Sequence, residues 1–274
     1  MTQTVAWRLL TSTRASMGRQ LALSEALLAC LPEIEIPVVR WYVTHQPTLV
    51  LGNGQKPEVA DLAACRARGI PVFRRTSGGT AVLVDGEALS MEVALPAGHP
   101  LASSDVVRGY QWIGDVWAKA LRALGIAEAR AMPTDEVRAL PAIAKDDPIR
   151  LACYGTLSPW ETVMGRRKVV GLSQVRRRAG TLYQVGVYLR WQPERLVELL
   201  TLAEADRAAL VPRLRAATAG LDELAGRAIA AREVIAAVNG ALAETLDVTL
   251  TPAAWSAQER ATAARIQRER FAPL

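Results

Sequence analysis

The stretch that most constrains this chain runs from Thr162 to Leu189. Thr162 to Met164, Lys168 to Val175 and Thr181 to Leu189 read there as three successive strands. Turn signals at Gly165-Arg166 and from Arg177 to Gly180 are short enough that each strand runs back beside its predecessor, as an antiparallel meander. Such a meander needs helices or a second sheet against it to be stable. A chain of 274 residues, 50% hydrophobic and 22% charged, can supply that cover and is no disordered polymer. In the middle strand Lys168 lies beside Val169, Val170, Gly171 and Leu172. The residues leave two readings open: a surface lysine on a half-exposed strand, or a donor projecting into a pocket toward a developing negative oxygen.

Ahead of the meander, Val5 to Leu10 reads as a strand and Met17 to Leu31 as a helix ended by Pro32 and Pro37. Val38 to Tyr42 and Thr48 to Leu51 read as strands around the Gln46-Pro47 turn, the second running into Gly52-Asn53-Gly54. A helix with Pro57 in its first turn stops at Gly69. The strand Pro71 to Phe73 then enters Arg74-Arg75-Thr76-Ser77-Gly78-Gly79-Thr80. This is either a hairpin turn or an anion cradle, with backbone N–H groups turned inward and two arginines before them. It matches neither the P-loop nor the dinucleotide fingerprint. Ala81 to Leu83 and Ala88 to Leu95 read as a hairpin around Asp85-Gly86, and Ser104 to Leu124 as one long amphipathic helix carrying Trp112 and Trp117 as core. Ala127 to Leu151 reads as a loop-rich segment able to order over a substrate. The C-terminal part reads as helical: Pro193 to Ala203, Ala208 to Ala217, a long helix from Leu221 to Leu246, and a solvated last helix from Ser256 to Phe271.

Charge and cysteine content narrow the class. The excess of 33 Lys+Arg over 27 Asp+Glu favours acidic partners. Arg176-Arg177-Arg178 is either a solvated tip or a docking patch for one. Basic residues that interleave with Val and Leu in strands, without a nucleic-acid motif, argue against a nucleic-acid partner. Cys30, Cys65 and Cys153 form no CxxC pair, and with only two histidines no metal spacing arises. Cys30 reads as core filler, Cys65 carries no assigned chemistry, and Cys153 is either an inert thiol or a nucleophile. The N-terminus lacks a signal-peptide pattern and no run is apolar enough for a membrane span, so the expected compartment is the cytoplasm.

Three segments in order carry a family resemblance. WYVTHQPTLVLGNGQ resembles an early strand–turn segment, RRTSGGTAVLVDGEALSMEV an Arg-rich Gly-Gly acyl-binding loop, and GRRKVVGLSQVRRRAGTLYQVGVYL a lysine strand with its following hairpin. Together, over about Trp7 to Leu189, they resemble the lipoate/octanoate branch of the biotin and lipoate protein ligase superfamily. The resemblance implies an α/β (α+β) fold, a mixed, mostly antiparallel sheet flanked by helices. It implies a catalytic domain, taken here as 1–190; the helical pattern after Leu189 makes 191–274 a helical C-terminal extension expected to pack on it. It implies acyl transfer to a lysine of a lipoyl domain or glycine-cleavage H protein.

By the same resemblance Lys168 is the catalytic lysine that contacts the acyl carbonyl. Arg74, Arg75, Ser77, Gly78, Gly79 and Thr80, with Gly171 and Ser173, form the substrate-binding set. CYGTLSPWE, with Ser158 and Glu161 at matching offsets, resembles the loop of a transferase class whose cysteine carries the acyl group as a thioester, so Cys153 is the implied nucleophile. A thiolate is the reactive form in such chemistry, and a lysine cation nearby would favour it. In that class the donor is octanoyl-acyl carrier protein and no cofactor is needed. The alternative is a ligase that activates free lipoate with ATP and Mg, and a further alternative is a non-catalytic acyl- or carrier-binding module. Thr80 and Val84 depart from the family pattern, which has a third glycine or an arginine at the first position and a histidine at the second.

Overall fold

The computed structural model describes residues 5–274; the first four, part of the N-terminal stretch read for a signal sequence, lie outside the described residues. The meander is present as β8 (Thr162–Met164), β9 (Arg167–Arg177) and β10 (Gly180–Tyr188). It belongs to an eight-stranded sheet that also contains β1 (Val5–Ala15), β2 (Val38–Thr44), β6 (Ala88–Pro96), β7 (Arg130–Ala131) and β11 (Val248–Ala253), in the order β11-β1-β2-β6-β10-β9-β8-β7. Only β11-β1 and β1-β2 are parallel; the remaining pairs are antiparallel. A second sheet of β3 (Thr48–Leu51), β4 (Val72–Arg74) and β5 (Val82–Val84) has the order β4-β3-β5.

Because side chains alternate along a strand, the main sheet has two apolar faces and each carries helices. On one face lie α3 (Gln111–Ala123) and α8 (Ala231–Leu246), packed through Ile113, Trp117, Val234 and Leu242 onto Trp41, Met91, Val185 and Val187. On the other lies α1 (Met17–Ile34), its first turn capped by Ser16, whose Oγ accepts from Arg19 N–H at 3.3 Å. Leu27, Leu28 and Leu31 of α1 meet Val38, Ala94, Val175 and Leu182 on that face. The shorter α2 (Leu62–Ala67), α5 (Pro193–Val197) and α6 (Glu204–Ala217) pack around the small sheet. The last helix, α9 (Ala257–Arg270), lies on α1.

Several local expectations are corrected. Asp85-Gly86 does not close a hairpin, because β5 pairs with β3 in the small sheet while β6 pairs with β2 and β10 in the large one. Asp85 instead turns the chain between sheets, accepting from Glu87 N–H at 2.9 Å and holding Arg195 at 2.5 Å. The long helix begins at Gln111, not Ser104, because the Asp105 carboxylate captures the N–H groups of Val107 and Arg108 in a tight turn. Pro32 sits inside α1, which ends at the left-handed Glu35. The segment from Pro57 to Gly69 is a short 3-10 turn followed by α2, interrupted where Ala60 bridges to Leu200 and Asp61 caps Ala64.

At the C-terminus the single helix from Leu221 is divided into α7 (Leu221–Ala225) and α8, with Gly226 in the left-handed region ending the first. Between α8 and α9 the chain also contributes a strand, β11, to the sheet edge. The final helix is not purely solvated: Glu259, Ala263, Ile266 and the following Phe271 are buried. The segment before the meander holds a short strand, β7, and a short helix, α4 (Thr134–Arg138).

Candidate active site

Two loops meet over β9 and β10. The first carries Ser77, Gly78 and Gly79. Its partner below is the Gly52 turn: a methyl group on Gly52 would sit 1.8 Å from Gly79 O, so any side chain there would push the two turns apart. Asn53 N–H donates to Ser77 O at 3.0 Å and completes the contact. Arg75 fastens the loop from within, its guanidinium donating to Gly78 O at 2.9 and 3.2 Å and to Thr80 O at 3.0 Å. With its carbonyls drawn onto Arg75, the loop leaves the N–H groups of Thr76 to Thr80 donating to no other backbone carbonyl, among the described residues.

The second loop carries Cys153. Its N–H donates to Ala81 O at 2.8 Å, and Ala152 bridges to Ala81, so the strand leaving the first loop also holds the second. A methyl group on Gly79 would lie 4.0 Å from the Cys153 sulfur. The loop is pinned to β9 by Lys168, which is 2% exposed. Its ammonium donates to Cys153 O at 2.9 Å, to Thr156 O at 3.1 Å, and pairs with Glu161 Oε1 at 2.6 Å. All three N–H donors are thereby engaged.

Glu161 in turn accepts from Ser158 N–H at 2.8 Å and from Leu172 N–H at 3.2 Å. Burial pushes its carboxyl above the ordinary value, against the opposing pull of Lys168 and those two amides. Tyr154 adds an apolar anchor. Its phenol end lies over Gly171 and Gly186, where a methyl group would come within 3.4 Å of Cζ at the first and 3.1 Å of the hydroxyl oxygen at the second, and its hydroxyl donates to Gly186 O at 2.5 Å. Burial holds the Tyr154 phenol well above its usual range, so it stays a neutral donor.

Between the loops opens a cavity of about 360 Å³. Its deep end is formed by buried Met17, Leu21, Val50 and Ala88, and its outer end by Val106, Tyr110, Ser158 and Gln174. Cys153 is half-buried on the wall. A cavity of this size, apolar in depth with a few polar groups near one end, fits a medium-length acyl chain.

Of the sequence-indicated residues, Cys153, Arg75, Gly78, Gly79, Gly171 and Ser173 line this cavity. Ser77 is buried behind them, its hydroxyl 3.3 Å from that of Ser173. Thr80 contributes its carbonyl to Arg75, and Lys168 lies beneath the Cys153 loop, not among the lining residues. Arg74 closes β4 with a buried Nε that has no acceptor and does not reach the cavity wall. Cys30 and Cys65 are buried apart from it, and burial pushes both thiols up. Sequence reasoning missed the Tyr154 seat and the deep apolar wall from α1, whose only signal was ordinary helical periodicity.

The model of the lipoyl protein ligase A/B catalytic domain matches residues 16–243. The chain belongs to this family. A curated relative, the octanoyltransferase LipM of Kyrpidia tusciae, is 31% identical over 263 residues, covering 95% of this chain and 94% of the relative. The LipM octanoyltransferase of Brevibacillus brevis is 29% identical, with 97% and 96% covered. Among solved structures, the bipartite lipoate protein ligase of Thermoplasma acidophilum superposes with a TM-score of 0.78 at 20% identity, covering 97% of this chain and 93% of that one. A lipoate-protein ligase A bound with ATP gives 0.77 at 20% identity, with 97% and 95% covered. These likenesses bear out the mixed, mostly antiparallel architecture. Among the described residues, no helix is long and apolar enough to cross a membrane.

Proposed function

We propose that this family member transfers an octanoyl group from octanoyl-acyl carrier protein to a lysine of a lipoyl domain or H protein, through a thioester on Cys153. One observation carries the reading: Cys153 stands on the wall of an acyl-sized apolar cavity, facing the Gly78-Gly79 backbone. Near-full-length octanoyltransferase relatives support it. In the first half-reaction the Cys153 thiolate attacks the donor's thioester carbonyl. A new C–S bond forms, the carrier's thiolate leaves, and it takes up a proton. In the second, the neutral amine of the acceptor lysine attacks the enzyme thioester. An amide forms, the amine's proton is released to solvent, and the Cys153 thiolate is regenerated.

In this reading the N–H groups of the Gly78-Gly79 loop, which donate to no backbone carbonyl among the described residues, serve the carbonyl oxygen as it gains charge. Lys168 sets the path of the backbone that carries the nucleophile, and an acyl carbonyl that takes one of its N–H donors must displace Cys153 O or Thr156 O. Residues 1–190 form the catalytic unit in this reading, with 191–274 supporting it. The reaction needs no nucleotide, because the acyl group arrives already activated. The test is octanoyl transfer to apo lipoyl domain by the wild type and Cys153→Ala. Full transfer by Cys153→Ala sinks the cysteine route, and transfer that requires ATP and free octanoate or lipoate makes the chain a ligase.

A further inference from the structure

From Ser103 to Arg108 the chain forms a strap across the outer end of the cavity. It is held with unusual care for a surface loop. Asp105 N–H donates to Ser103 Oγ at 3.2 Å, and the Asp105 carboxylate accepts from Val107 and Arg108 N–H at 2.8 and 3.1 Å. Two side chains of β9 tie the strap down: Gln174 donates to Val106 O at 2.9 Å and Arg176 to Ser104 O at 3.3 Å. This bracing serves no core. Val106 and Val107 are 49% and 39% exposed, two of the few large apolar side chains on the surface. A loop braced so that it presents apolar groups to water, at the mouth of a cavity, is shaped for a partner.

The charges around it define the partner. Arg108 ends the strap and is exposed, Arg176 lies beneath it on Ser104 O, and among the described residues neither has a carboxylate within ion-pair distance. Elsewhere Arg167, Arg195, Arg213 and Arg215 each hold one. The one acid on the strap, Asp105, has its carboxylate turned inward onto backbone amides, and those amides hold it below its usual range. The patch is therefore a small apolar centre beside unpaired guanidinium groups.

We propose that Val107 and Arg108, with Arg176 beneath them, dock the acyl carrier protein. That partner is an acidic protein whose acyl thioester ends an arm joined through a phosphodiester. The arginines match both the acidic surface and the arm's phosphate. Val106, which lines the cavity, marks where the acyl chain leaves the carrier and enters that cavity. The proposal rests on the octanoyl-transfer reading above and gives it a location.

The test compares Arg108→Glu and Val107→Asp with the wild type in two loading reactions, one with octanoyl-acyl carrier protein and one with octanoyl-pantetheine, which has no protein to dock. Carrier affinity is measured in parallel on each protein at low and high salt. The expected result is at least about a tenfold loss in carrier loading and carrier affinity, salt-sensitive in the wild type, with pantetheine loading unchanged. Unchanged pantetheine loading also shows that the variants fold. Equal loss with both donors, no loss with either, or weaker binding of an apo lipoyl domain alone overturns the proposal. If the wild type loads from neither donor, the thioester reading fails, while the affinity series still decides the docking surface.

Discussion

The two loops that face the cavity are each held by one buried cation, but by opposite strategies. Arg75 draws in the carbonyls of Gly78 and Thr80 with no carboxylate beside it, among the described residues. Lys168 draws in the carbonyls of Cys153 and Thr156 and also pairs with buried Glu161. The chemistry of the two side chains accounts for the difference. A guanidinium keeps its charge in any protein setting and spreads it over five donors, so backbone carbonyls suffice. A lysine ammonium is a compact point charge without that planar fork, and here the Glu161 carboxylate joins the two carbonyls around it. Glu161 then anchors Ser158 and Leu172 N–H as well, so the Cys153 loop is held through a linked cation–carboxylate network where the cation of the glycine loop engages backbone carbonyls alone.

The comparison breaks first at the network. Lys168→Ala leaves Glu161 buried without its cation and is expected to cost about 3–5 kcal/mol in denaturant unfolding. The pH dependence has a definite sign. A lone buried carboxyl has its folded pKa raised, so the penalty is fully present above that value and is relieved as pH falls through it. A loss that instead grows on acidification would contradict the pairing. Arg75→Lys comes next. It keeps the charge but loses the fork that spans two carbonyls, at about 1.5–3 kcal/mol, and slows octanoyl loading with the loop. Equal loading by Arg75→Lys and wild type would show that the fork is dispensable.

Gly52→Ala sharpens the contact between the glycine turn and the first loop. Its methyl meets Gly79 O, and displacement is expected to cost about 1–3 kcal/mol, read from the denaturation midpoint. The smallest effect lies away from the cavity, where Arg8 pairs with Glu259 at 2.8 Å and ties β1 to α9. Burial raises the Glu259 carboxyl, but Arg8 and the Ser256 amide outweigh it and hold it below its usual value. Its contribution is present above the unfolded carboxylate pKa and fades as pH falls through the folded one. Glu259→Gln is expected to flatten that acid limb of the stability curve.

Much of this was legible in the residues because the meander and its turns are local signals. The family resemblance, carried by the order of the motifs, implies that Cys153 and the Gly-Gly loop share one site, and both line the cavity. What was not legible depended on distant partners. Asp85-Gly86 has hairpin chemistry, yet its flanking strands find better partners in two separate sheets, and no local pattern records that choice. The start of α3 was obscured because Asp105, a good cap, closes a turn upstream of Gln111. β11 escaped notice because a six-residue edge strand between helices carries little periodicity. The engagement of Lys168 with Glu161 and with the two carbonyls depends on how the Cys153 loop folds back over β9, which no local pattern records.

The most direct measurement is intact mass of the wild type after exposure to octanoyl-acyl carrier protein, with peptide mapping and a chase by apo lipoyl domain. The account predicts a gain of one octanoyl group on Cys153, removed by hydroxylamine and lost from the enzyme as the acceptor gains it. An octanoylated acceptor with no acyl group ever found on Cys153, or normal turnover by Cys153→Ala, would contradict it.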